Sequence, residues 1–166
     1  MTPTLVVGFR KTTAKNTFQS KVMSYGLGHD IVHCELIFPT LPKARLVADI
    51  KYKGITMLPL MDEMGDLNEW LFYDLGSEYY ERALAIANKL VGKPYDLRSV
   101  IASMFGLQKN NQEAWYCSEL CYYVLLQAGV PLPVFNPEFV LPHELELMLR
   151  DTYPIINFVT LVDLLT

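Results

Sequence analysis

The chain has 166 residues, of which 51% are hydrophobic and 19% are charged, and its formal net charge is −4. This composition predicts one well-packed domain, and it excludes a disordered chain and a general nucleic-acid binder. No apolar run is long enough to span a bilayer, so we expect no stable membrane insertion. The odd number of cysteines, three, and an N-terminus without signal-peptide features predict free thiols in a cytoplasmic protein.

The first half of the chain is predicted to form mainly β-strands. Apolar stretches at residues 4–9, 55–60 and 70–73 have the length and composition of strands. A short helix, capped by Asn16 or Thr17, could follow the first of them.

The predicted strand at residues 31–38 alternates in polarity and contains the first candidate functional residues. One face of this strand is apolar and carries Val32, Cys34, Leu36 and Phe38. The opposite face carries His33 and Glu35.

Residues 44–50 are predicted to return antiparallel to that strand. The register that pairs Leu36 with Leu46 matches apolar with apolar residues along one face, and a shift by one residue would destroy the match. This register, or one shifted by two, is therefore favoured. On the other face it places Asp49 opposite His33 at a Cβ distance of about 5 Å, where its carboxylate could accept a hydrogen bond from the imidazole.

The second half of the chain is predicted to be mainly helical. Ser77 and Asp96 are candidate N-caps of two successive helices, the first of which ends near Val91. Pro142 is predicted at the first position of a later helix. Residues 155–162 could be a strand that closes the sheet. Strands clustered early and helices late predict an α+β fold in a single domain.

A further helix is predicted from the apolar spacing between Cys117 and Ala128, with Gly129 as its stop signal. The helix should begin near Tyr116, which puts Cys117 in the first turn. There, unpaired backbone N–H groups and the helix dipole favour an anion and can lower a thiol pKa. A structural core cysteine is the alternative, and Cys121 fits that description better.

An activated-thiol hydrolase needs a nucleophile, a histidine that takes its proton, and a polar group that orients the imidazole. Cys117, His33 and Asp49 are the candidates for these catalytic roles. Glu35 is the alternative orienting residue, although it could equally be a surface carboxylate paired with Arg45. His33 could equally be a structural histidine.

Two short motifs resemble the split signature of NlpC-type papain-like cysteine hydrolases. They are Gly92-Lys93-Pro94-Tyr95-Asp96 and Tyr116-Cys117-Ser118-Glu119-Leu120. His33 precedes the cysteine, an order similar to that of the circularly permuted branch, which includes YiiX-like and viral proteins and, more distantly, lecithin:retinol acyltransferase relatives. Residues 141–145 also resemble this branch. The short, linkerless chain suggests a bacterial or bacteriophage protein.

The resemblance implies a permuted papain-like fold, with an antiparallel sheet packed against the helix that carries the nucleophile Cys117. It implies His33 as the base and a third polar residue on the next strand, by position Asp49. The Cys117 backbone N–H would form part of the oxyanion hole. The candidate substrate-binding residues are Tyr95, Tyr116 and Ser118. Tyr95 could equally be an ordinary aromatic residue at the edge of the core.

The implied reaction is cleavage or transfer at an amide or thioester bond through an acyl-enzyme, with no metal or organic cofactor. The expected substrate is a peptide, a lipid or a protein conjugate. Two alternatives stay open: a binding module that has lost turnover, and a lipid acyltransferase. The second is disfavoured because the sequence has no exposed basic amphipathic helix.

Overall fold

In the computed structural model, the described residues form a six-stranded antiparallel sheet and four helices that make up a single α+β domain. The structure describes residues 3–12, 29–40, 42–95 and 115–163. The predicted helices capped by Asn16 or Thr17 and by Asp96 lie outside the described residues.

The strands of the sheet stand in the order β4-β3-β2-β1-β5-β6, and each pair of neighbours is antiparallel. They are β1 (Val6–Lys11), β2 (Ile31–Phe38), β3 (Ala44–Asp49), β4 (Gly54–Pro59), β5 (Trp70–Asp74) and β6 (Ile155–Ile156). The predicted β2–β3 register is confirmed, because Leu36 pairs with Leu46 and Ile37 with Arg45.

The described helices are α1 (Tyr80–Leu90), α2 (Cys117–Ala128), α3 (Pro142–Arg150) and α4 (Phe158–Asp163). The predictions for α2 and α3 are confirmed. Tyr116 is the extended N-cap of α2, and Gly129 ends it with a φ of 93°, a left-handed conformation that glycine adopts without strain. Pro142 is the first residue of α3.

Two predicted element boundaries are wrong. Ser77 does not cap α1: residues 77–79 form a turn in which the Tyr80 N–H donates to the Ser77 carbonyl, and the helix begins at Tyr80. The predicted strand at residues 155–162 is only two residues long. It ends because the Asn157 side chain accepts a hydrogen bond from the Thr160 N–H and so caps the start of α4.

The main hydrophobic core lies between one face of the sheet and helices α1, α2 and α3. Alternate residues of the central strands supply the sheet side, among them Phe9, Leu36 and Leu46. Helix α2 contacts α1, β2, β3 and α3, so its first turn is held against the sheet. A smaller cluster, which includes Ile37 and Trp70, covers the opposite face.

Candidate active site

Cys117 is the first residue of α2, and its position follows from how that helix begins. The Glu119 carboxylate turns back and accepts a hydrogen bond from the Tyr116 N–H at 3.4 Å, which stabilises the first turn. Leu120 and Val124 on the same helix are fully buried in the main core. This packing places the first turn, with its unpaired N–H groups, against β2. The Cys117 thiol there interacts with Cys34 and His33 of that strand.

His33 lies on β2 beside an irregularity in the β1–β2 ladder. Arg10 pairs with His33 and Lys11 pairs with Ile31, so Val32 is an extra residue without a partner on β1. Bulges of this kind change the direction of nearby side chains. Val32 accordingly lines the same cleft as His33, and its predicted place on the Cys34 face is wrong.

A cleft of about 360 Å³ lies where the polar face of β2 and β3 meets the start of α2. It is lined by Arg10, Val32, His33, Glu35, Arg45, Val47, Asp49, Ile50, Lys51, Tyr52, Glu63, Trp70, Tyr95 and Cys117. The Trp70 ring stands edge-on to the His33 imidazole, with centroids 6.3 Å apart. The cleft thus contains the predicted nucleophile, Cys117, and its predicted base, His33.

Cys117 and His33 interact closely enough to change each other's protonation. Burial alone would lower the pKa of His33, but the charge on Cys117 and hydrogen bonds with Cys117 and Glu35 outweigh it and raise that pKa well above its usual value. The pKa of Cys117 is well below that of an ordinary thiol. The two shifts have opposite directions and together favour a thiolate–imidazolium pair.

The largest cause of the low Cys117 pKa is a hydrogen bond from the Cys34 thiol. The Cys34 backbone N–H donates to the same sulfur, and the charge on His33 acts in the same direction, whereas burial opposes all three. Burial raises the pKa of Cys34 itself, so Cys34 stays a neutral donor. All three cysteines of the chain are unpaired.

Glu35 joins His33 to Arg45. Its Oε1 lies 3.0 Å from His33 Nε2, and Arg45 Nη1 lies 2.6 Å from both carboxylate oxygens. Burial would raise the pKa of Glu35, but the hydrogen bonds and charges of His33 and Arg45 lower it overall. The carboxylate is therefore ionised and occupies Nε2, which leaves Nδ1 of His33 for Cys117.

Asp49 does not make the hydrogen bond to His33 that the sequence predicts. Its carboxylate accepts from the Lys51 N–H at 2.8 Å and caps the 3₁₀ turn Ile50–Tyr52. The β2–β3 ladder ends at the Leu36–Leu46 pair, so His33 and Asp49 are not ladder partners. The alternative, Glu35, contacts His33, and its pairing with Arg45 is buried rather than on the surface.

Tyr95 lines the cleft, because the segment that carries it is fixed to the start of β4. The Ile55 N–H donates to the Lys93 carbonyl at 2.8 Å. A Cβ at Gly54 would lie 2.3 Å from that carbonyl oxygen, so only glycine permits the approach. Tyr95 then forms a bridge with Trp115, two residues before Cys117.

Tyr116 and Ser118, the other candidate substrate-binding residues, point into the core instead. The Tyr116 side chain is buried, and its hydroxyl donates to the Glu138 carbonyl at 2.6 Å. Ser118 is fully buried, and its Oγ has no hydrogen-bond partner in the described part of the chain. Neither side chain is on the wall of the cleft.

The sequence suggested the pairing of Arg45 with Glu35 only as a surface contact, and it gave no role for Cys34. The hairpin register does put Arg45 opposite Ile37, on the face that carries Glu35, and this was a usable signal. The contact between Cys34 and Cys117 had no such signal, since it depends on how α2 packs on β2.

No model of a known protein family matches the chain, and no curated protein matches it. Within the described ranges, no group of three or more His, Cys, Asp or Glu side chains is arranged to hold a metal ion. None of the helices described here has both the length and the hydropathy to cross a membrane.

Proposed function

We propose that the protein is a cysteine hydrolase that cleaves amide or thioester bonds through an acyl-enzyme. Cys117 is the nucleophile, His33 the general acid and base, and Glu35 the residue that orients the imidazole. The observation that carries the proposal is the contact between Cys117 and His33 in the cleft, with pKa shifts in opposite directions. Such a matched pair is how a thiol becomes a nucleophile at neutral pH.

The acylation step uses both members of the pair. The Cys117 thiolate attacks the substrate carbonyl carbon, and the developing oxyanion is stabilised by N–H groups at the start of α2, including that of Cys117. The C–N or C–S bond then breaks, and the His33 imidazolium gives its proton to the leaving amine or thiol. The product is a thioester on Cys117 and a neutral imidazole on His33.

Deacylation reverses the roles. Neutral His33 takes a proton from water, and the resulting hydroxide attacks the thioester carbonyl. The C–S bond to Cys117 breaks, the carboxylic acid product leaves, and the thiolate–imidazolium pair returns. Glu35, on the other ring nitrogen, keeps the imidazole in one orientation through both steps.

The arrangement supports a circularly permuted papain-like fold. A cysteine at the start of a helix packs on an antiparallel sheet whose strand β2 carries the histidine, and that strand precedes the helix in the chain. The segment that ends at Tyr95 reaches the cleft, as this resemblance implies. The three unpaired cysteines support a reducing compartment such as the cytoplasm.

The cleft favours a peptide or a protein conjugate as substrate over a lipid chain. Charged side chains, among them Arg10, Lys51 and Glu63, line it together with the aromatic Trp70 and Tyr95. Arg10 is paired with Glu69, and Lys51 with Glu63, and burying these ion pairs under a long acyl chain would cost desolvation energy. A peptide instead offers amide groups that can form hydrogen bonds with them.

Selective labelling and an acyl-transfer probe test the proposal together. Limiting iodoacetamide near neutral pH should modify Cys117 before Cys34 or Cys121, as judged by peptide mapping. An aryl thioester probe should leave an acyl group of the expected mass on Cys117, and Cys117→Ser should abolish it. Preferential labelling of another cysteine would contradict the nucleophile. Slow, unselective labelling without an acyl adduct would instead indicate a binding module.

A further inference from the structure

Arg45 is a buried cation on the far side of Glu35 from His33. Its side chain is only 3% exposed. Nη1 binds both Glu35 oxygens at 2.6 Å, and Nη2 donates to the Asp62 carbonyl. The β2–β3 register explains the contact: Arg45 pairs with Ile37, so Glu35 is its diagonal neighbour on the same face of the sheet.

A carboxylate as deeply buried as Glu35 needs a cation beside it to remain ionised. His33 is such a cation only while its ring is protonated. In the proposed cycle the ring loses its proton to the leaving group and stays neutral until water attacks. A guanidinium keeps its charge at every pH that proteins experience. Arg45 is therefore the constant counter-ion of Glu35, and His33 is the intermittent one.

The fixed geometry of Arg45 adds to this effect. Nη1 serves the carboxylate while Nη2 is held by a main-chain carbonyl of the loop after β4, so the plane of the guanidinium cannot rotate freely. Glu35 in turn cannot rotate away from His33 Nε2 when the imidazole becomes neutral.

We propose that Arg45 is a positioning residue that keeps Glu35 ionised and directed at His33 Nε2 in both protonation states of the imidazole. It thereby keeps Nδ1 of His33 aimed at Cys117. The link to turnover rests on the proposed hydrolase function, but the ionisation of the Cys117 thiol can be measured without any substrate.

Two effects of removing Arg45 oppose each other. Arg45 repels a positive charge on His33, so its loss alone would favour the imidazolium. Its loss would also allow Glu35 to take up a proton, which would remove the anion 3.0 Å from the imidazole. The second effect acts at the shorter distance, and we expect it to dominate.

The test is the pH dependence of Cys117 alkylation by iodoacetamide in the full chain, with the labelled site confirmed by peptide mapping. Arg45→Met should raise the pKa of Cys117 by about one unit, which moves the acid limb of the profile to higher pH. Alkylation near pH 6 should therefore slow about tenfold. The His33 ring resonance, one of three histidine signals, should titrate at a lower pH. An unchanged or faster profile in folded Arg45→Met would overturn the proposal.

A double variant separates positioning from simple folding effects. If Arg45 acts through Glu35, adding Arg45→Met to Glu35→Gln should cause no further loss of Cys117 reactivity. The pair Glu35→Gln/Arg45→Met also removes both buried charges, so it should fold even if Arg45→Met alone does not. Additive losses in the double variant would contradict the proposal.

The matched control is Arg150→Met. It removes an arginine from another buried glutamate, Glu146, whose contact with Arg150 Nη2 is 2.7 Å. The Cys117 profile should be unchanged, because Arg150 does not line the cleft. An acyl-transfer assay that failed in wild-type protein would reject the hydrolase function without affecting this result, since alkylation needs no substrate.

Discussion

Two buried glutamates in this domain have similar kinds of partner, but we expect them to have different roles. Glu35 and Glu146 are 3% and 1% exposed, and each is bound by an arginine and by one side chain that can titrate. Glu35 contacts Arg45 and His33. Glu146 binds Arg150, with Nε at 3.0 Å, and accepts a hydrogen bond from the Tyr73 hydroxyl at 2.5 Å.

The difference lies in what the titratable partner can reach. Tyr73 is fully buried, and burial together with Glu146 raises its pKa to about 12, so the hydroxyl is a permanent neutral donor. This contact only ties β5 to α3. The His33 side chain is 20% exposed, lines the cleft and interacts electrostatically with the Cys117 thiol. We therefore expect a structural role for the pair of Glu146 with the 54% exposed Arg150, and a chemical role for the pair of Glu35 with the buried Arg45.

The largest expected effect comes from removing each carboxylate charge in turn. Glu35→Gln should slow acyl-enzyme formation by about 10²-fold or more, because His33 loses the anion that orients and charges it. Glu146→Gln should leave the rate unchanged and lower the free energy of unfolding by about 1–3 kcal/mol, because Tyr73 and Arg150 lose a charged partner. Denaturant titration and single-turnover acylation measure the two quantities. Equal rate losses in both variants would mean that Glu35 has no role in the reaction that Glu146 lacks.

A smaller effect is expected from Cys34, for which the Glu146 network has no counterpart. Cys34→Ala removes the thiol donor that contributes most to the low Cys117 pKa. The pKa should therefore rise, and the thiolate fraction at any pH below the new value should fall. We expect alkylation near pH 6 to slow about tenfold while the alkaline plateau is unchanged.

Cys34→Ser is the matched control for this prediction. Its hydroxyl can still donate to the Cys117 sulfur, and the backbone N–H donor is present in both variants. The serine variant should keep most of the wild-type profile. An alanine variant that also keeps it, with the fold intact, would mean that His33 alone sets the Cys117 pKa.

The sequence was sufficient where apolar pairing decides the structure. The apolar pattern excluded a one-residue shift of the β2–β3 hairpin, and the register that pairs Leu36 with Leu46, one of those it allowed, is the one observed. Helical spacing likewise predicted α2, with its start near Tyr116 and its end at Gly129. These two features are enough to assign His33 to a strand and the Cys117 thiol to the first turn of a helix.

The sequence was insufficient where the regular ladder breaks. The predicted His33–Asp49 contact assumes that strand pairing continues past Leu36, but Val32 is an extra residue in β2 and a 3₁₀ turn begins directly after Asp49. No glycine or proline marks the bulge at Val32, and Gly54 indicates a turn after Asp49 but not that the Asp49 carboxylate caps that turn. The choice between Asp49 and Glu35 therefore depended on tertiary structure.

Asp49 lines the same cleft as Glu35, and its substitution is expected to have the weakest effect on the reaction. The donor to its carboxylate is the Lys51 N–H, rather than His33 or an arginine. Proximity to the cleft alone should not make a carboxylate catalytic. Asp49→Asn keeps an oxygen that can accept the same hydrogen bond, so the turn should survive.

We therefore expect Asp49→Asn to change the free energy of unfolding by less than about 1 kcal/mol and to leave acylation close to wild type. Asp49→Ala, which loses the cap, should cost about 1 kcal/mol of stability and still acylate. Both variants would be measured beside Glu35→Gln by denaturant titration and single-turnover acylation. If Asp49→Asn were crippled and Glu35→Gln active, the orienting carboxylate would be Asp49, and the site would have to rearrange during turnover to bring it to His33.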